Sequence, residues 1–216
     1  MKGDVMSVNI KQLILVPAVI SLAVTLLRLI GELQNWSPLL FNPSAGGGMA
    51  LVGITWLVPI FGIYFALKLT KSGNGPRSAG KVIGFAILAI VVVVGISIGT
   101  TVAFGQENLP VLVIMEVLVT IVGLAIVSKV WPELFKTLVA YAFAARIPVA
   151  ILMFFAIMGN WGTHYDVPPP NFPEMGWIAK WLLIGLLPQL TVWICFTAVI
   201  GMLFGGIAAL FGKSKP

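Results

Sequence analysis

The chain has 216 residues, of which 59% are hydrophobic and 9% charged, with a formal net charge of +6. A soluble domain carries roughly 25% charged residues, so an ordinary water-soluble fold is excluded. The basic residues are scattered over several short segments and form no single stripe, which argues for a topology signal and contact with anionic lipid headgroups and against nucleic-acid binding.

A hydrocarbon core about 30 Å thick takes roughly 20 helical residues to cross. Apolar runs of that order are predicted at residues 10–30, 51–69, 82–104, 109–130 and 134–158, followed by a longer stretch from Trp177 to Phe211. The last run exceeds what one untilted span needs and contains Pro188, so it is expected to kink or to begin with an interfacial segment. Unbroken apolar runs lack the alternation of a membrane barrel. The expected fold is therefore all-α: a polytopic integral membrane bundle of six transmembrane helices, forming one domain over residues 1–216.

The amino-terminal lysines precede an apolar run without a convincing small-residue cleavage site, which reads as an uncleaved first helix. Lys2, Lys11, Lys68, Lys71, Arg77, Lys81, Lys129, Lys136, Lys213 and Lys215 fall on one side of the six runs, against Lys180 on the other. The positive-inside rule then places both termini in the cytoplasm and the protein in the cytoplasmic (plasma) membrane.

Two outer loops follow the first and fifth runs, and each opens with an Asn-Trp pair, Asn35-Trp36 and Asn160-Trp161. At the same offset Pro43 matches Pro168 and Trp56-Leu57 matches Trp181-Leu182. The echo suggests a parallel repeat of two hairpins, 10–69 and 134–211. The second loop also holds His164, Tyr165 and Asp166, and with Asn35, Trp36 and Trp161 these are candidates for a lid or a partner contact. The ordinary place for such aromatics is the headgroup level.

Ionisable groups inside spans are costly and usually face a bundle interior or water. Arg146 lies near the middle of the fifth run and Glu116 about 9–10 Å deep in the fourth, a gap that an extended arginine bridges. They are expected to pair. Arg28 and Glu32 share a face of the first helix. Together with Gln189, beside Pro188, these four form a candidate ligand site, and two arginines against a buried glutamate favour an anionic guest.

Gly95, Ser97 and Gly99 fit both a serine-hydrolase pattern and a small-residue packing motif. No strand precedes them and the single histidine lies in a loop, so helix packing is the expected role, with Gly201 and Gly205 as a second such site. One histidine and one cysteine, Cys195, cannot supply the usual metal or haem ligand sets, and no metal or cofactor is expected. The chain reads as a non-enzymatic membrane subunit binding a small molecule, lipid or partner through its outer half, with a transport role as an extension. Its expected partners are the bilayer and either other membrane subunits or further copies of itself. A purely structural subunit of a larger complex is the alternative, and an intramembrane serine hydrolase a distant third.

Overall fold

The computed structural model describes residues 8–105 and 108–212; Lys2, Lys213 and Lys215 of the orientation count lie outside these. Among the described residues there are helices and no strands. Among the same residues, six helices are long and apolar enough to cross a membrane. They are α1 (Ile10–Leu33), α2 (Leu57–Lys71, reached through a 3₁₀ turn at Ile54–Trp56), α3 (Ala79–Phe104), α4 (Leu109–Ser128), α5 (Pro132–Gly159) and a broken sixth span, Trp177–Phe211.

Local chemistry explains where these helices start and stop. Asn9 and Ser78 accept from the backbone N–H three residues on, capping α1 and α3. Prolines occupy the first turns of α4 and α5, where a missing N–H costs nothing. Both α1 and α5 end in an asparagine with left-handed backbone, Asn35 at φ 52° and Asn160 at φ 47°. In each case the next residue's N–H closes the helix end, Trp36 onto the Gly31 carbonyl at 2.9 Å and Trp161 onto the Ala156 carbonyl at 3.3 Å. The two asparagines of the echo therefore have a local cause: asparagine tolerates this backbone better than most residues do.

The second half of the sixth span, Val192–Phe211, is the central column and packs on α2, α3, α4 and α5. Glycines let it approach its neighbours. A Cβ on Gly62 of α2 would lie 2.7 Å from the Gly201 carbonyl oxygen and 2.8 Å from its Cα, so the two backbones touch. Gly201 is also covered by the Leu138 side chain, and Gly205 by Leu134 and Ala66. Phe65, Tyr141 and Met202 fill the remaining core. The matching expectation for α3 differs from what is found. Gly95 and Gly99 have nothing within 4 Å of a Cβ, because their face of α3 points away from the bundle, while Ser97, two positions from each, turns the other way to a crevice shared with α4 and the sixth span.

Val8, Leu13, Trp131 and Ala208 join one core cluster, and the Trp131 indole donates to the Asn74 carbonyl at 2.8 Å. These contacts gather the two short connections, around residues 72–78 and 129–131, at one end of the bundle with the start of α1 and the end of the sixth span. The long connections, 34–53 and 160–176, occupy the opposite end, the loop end.

Candidate functional site

Helix α1 is amphipathic in the inverted sense. Leu15, Val16, Val19 and Leu26 are exposed, whereas Ser21, Thr25, Arg28 and Glu32 form a buried stripe at three- and four-residue spacing. This stripe grips α5 and the second loop. Ser21 Oγ lies 2.7 Å from the Tyr141 hydroxyl, and the Tyr165 hydroxyl donates to the Thr25 carbonyl at 3.1 Å.

Arg28 is saturated. Its Nε donates to Glu32 Oε1 at 2.8 Å, Nη1 to the Val52 carbonyl at 3.0 Å, and Nη2 to the carbonyls of Asn42 and Gly47 at 3.2 and 2.9 Å. The expected role as a ligand clamp is corrected on this ground: most of its fork is spent on backbone oxygens of the first loop. Glu32 reaches the other loop, accepting from the His164 N–H at 2.9 Å and lying 2.6 Å from His164 Nδ1. Burial, reinforced by the nearby Arg28, outweighs the Glu32 hydrogen bond and holds His164 below its ordinary pKa. Burial likewise pushes the Tyr165 phenol well above its ordinary range.

Asp166 makes the second loop rigid, accepting from the N–H of Gly162 at 2.9 Å and from both the N–H and the hydroxyl of Thr163 at 2.7 Å. Trp36 stacks edge-on against Phe41 at 5.3 Å, and Trp161 covers Gly159. Asn35, Trp36, Trp161 and Asp166 thus shape the loops, while His164 and Tyr165 line the space beneath them.

That space is a cavity of about 660 Å³ at the loop end. Its walls come from α1, α4, α5, the first half of the sixth span and both loops, including Pro169, Pro170 and Pro173. Helices α1 and α4 both line it without packing closely on each other, so it occupies the gap between them. Arg28, Glu116, Arg146 and Gln189 all border it. Glu32 lies behind Arg28, outside the lining.

The expected Arg146–Glu116 pair does not form. Arg146 is 4% exposed, its guanidinium lies 4.3 Å from the Trp193 ring centroid, and Nη1 makes a long 3.5 Å contact to Gln189 Oε1. Its Nη2 is buried with no hydrogen-bond partner. Among the described residues the ion pair is Arg28–Glu32, the Glu32 carboxylate also meets the His164 ring, and neither contact involves Arg146. Glu116 instead meets the sixth span, with Oε1 2.5 Å from the Thr191 hydroxyl, which is also 2.7 Å from the Leu187 carbonyl.

Thr191 sits where the sixth span breaks. Trp181–Leu186 forms a wide π turn, Leu187–Leu190 a single α turn, and Thr191 leaves helical geometry at φ −118° and ψ −84°. Pro188 accounts for the disruption, since it lacks an N–H and its ring crowds the carbonyl four residues earlier. The break swings Gln189 inward to Arg146 and places Trp193 under the guanidinium. Sequence reasoning missed Trp193 and Thr191. The pointer to both was their closeness to Pro188, where the exposed backbone requires polar support.

No family model, curated protein or solved structure matches the chain. Ser97 donates to the Val93 carbonyl at 2.8 Å and lines a different cavity from His164, which is tied to Glu32. A serine–histidine pair does not form.

Proposed function

We propose that this chain is a non-enzymatic integral membrane subunit that binds an anionic small molecule or lipid in the loop-end cavity. One observation carries the reading: Arg146 is buried beside a cavity of about 660 Å³, has no ion pair among the described residues, and keeps an Nη2 without a partner. Placing such a cation within a span costs about 2.5–3.5 kcal/mol on insertion scales. A bound carboxylate or phosphate offsets that cost through charge-assisted bonds to the guanidinium. The cavity falls within the roughly 300–1,000 Å³ range of small-molecule sites.

The loop end faces outward in this reading. Lys11, Lys68, Lys71, Arg77, Lys81, Lys129 and Lys136 belong to the opposite end, against Lys180 at the loop end, which supports cytoplasmic termini and a plasma-membrane location. Transport is a natural extension, because a discontinuous helix beside a charged site is the kind of element on which transporters build. The test is ligand retention by the purified chain and by Arg146→Gln, with folding checked by thermal unfolding.

A second reading, a structural subunit of a larger assembly or homo-oligomer, is supported by the open face of α3. Gly95 and Gly99 there leave room for the close approach of another helix. In that case Gly95→Leu lowers the assembled fraction on native gels and leaves ligand retention unchanged.

A further inference from the structure

A second cavity, of about 460 Å³, lies between α3, α4 and Val192–Phe211. Its walls are apolar, with Val94, Met115, Val119, Val199 and Ile200 among them. The hydroxyls of Ser97, Thr100 and Thr101 all donate to carbonyls one turn earlier on α3, at 2.8, 2.8 and 3.0 Å, so their protons are already committed. Leu112 and Glu116 border this crevice and the loop-end cavity alike. The two cavities therefore adjoin at Leu112 and Glu116, with the unpartnered Nη2 of Arg146 on one side and the apolar crevice on the other, and the Glu116 carboxylate at this boundary is engaged by Thr191.

A charged chamber adjoining an apolar one matches the two parts of a single-chain amphiphile. Resting on the anion-binding reading, we propose that the ligand is an amphiphile with one long hydrocarbon chain, its phosphate or carboxylate head at Arg146 and Gln189 and its chain in the crevice between α3, α4 and Val192–Phe211. Lipid tails are as apolar as the crevice wall, so a chain arriving from the bilayer gains little from leaving it. The head supplies the affinity, and the crevice fixes where the chain lies.

The test reads chain position. The full chain is placed in phosphatidylcholine nanodiscs with dodecyl phosphate carrying a mid-chain diazirine, photolysed, and the adducts mapped by mass spectrometry. Adducts are expected in residues 112–120 and 192–200, falling about tenfold in Arg146→Gln, the scale of one lost charge-assisted contact. In Val119→Phe, which fills the crevice, the same adducts fall, while butyl phosphate, a head with almost no tail, still binds by phosphorus saturation-transfer NMR. Adducts that depend on Arg146 but map elsewhere would overturn the chain placement and leave the anion site standing. Labelling indifferent to Arg146→Gln means annular lipid only and would overturn both.

Discussion

Glu32 and His164, 132 positions apart, are joined twice, through the histidine's backbone N–H at 2.9 Å and its ring Nδ1 at 2.6 Å. Arg28 uses the same carboxylate while its remaining nitrogens hold the carbonyls of Asn42, Gly47 and Val52. One carboxylate thus ties both long loops to α1, directly on one side and through Arg28 on the other. The roof of the loop-end cavity depends on that knot.

Replacing Glu32 with glutamine leaves the Arg28 guanidinium buried without its counter-charge. The expected cost is about 3 kcal/mol of stability, typical of breaking a buried pair from one side. Thermal unfolding in mild detergent measures it, and proteolysis within 160–176 should accelerate in parallel. An unchanged midpoint would show that the knot is not under load.

The pH dependence follows from His164. Because its folded pKa lies below the ordinary value, the unfolded chain binds the proton more readily than the folded one. The stability this group contributes is complete above the unfolded pKa of about 6.5 and is lost as pH falls from there through the lower folded value. The thermal midpoint should drop between about pH 7 and pH 5, and less steeply in His164→Asn. Equal slopes in the two proteins would assign the drop to other groups.

Two glycine substitutions should diverge. Gly62→Ala drives a methyl into the Gly201 backbone and should destabilise by about 2 kcal/mol through overpacking. Gly95→Ala meets open space and should be neutral or stabilising by up to about 1 kcal/mol, since alanine is the better helix former. Midpoints for the pair, measured in one detergent, decide the matter.

The reasons these glycines differ also mark how far the sequence could be read. Span positions follow from run length and hydropathy, so all six apolar runs coincide with helices to within a few residues, and Pro188 announces the broken sixth span. A small-residue motif does not state which side of its helix meets a neighbour, which is why Gly201 and Gly95 carry the same signal and different contacts. How far along their helices Arg146 and Glu116 stand was legible, but that is one coordinate of three. The sixth span brings Gln189 and Trp193 to the arginine and Thr191 to the glutamate. Arg28 was placed correctly on the face of Glu32, yet its other partners are loop carbonyls, and a backbone oxygen has no signature in a sequence. The crevice beside α3 was not legible at all, because its lining consists of the same apolar residues that face lipid elsewhere.

The central claim, that Arg146 is held for an anion, is tested most directly by native mass spectrometry of the gently purified full chain beside Arg146→Gln. A retained anionic small molecule or lipid is predicted in the parent protein, falling by about tenfold or more in the variant while its thermal midpoint stays high enough for it to be folded. Equal retention in the two proteins, or none in either, would contradict the claim.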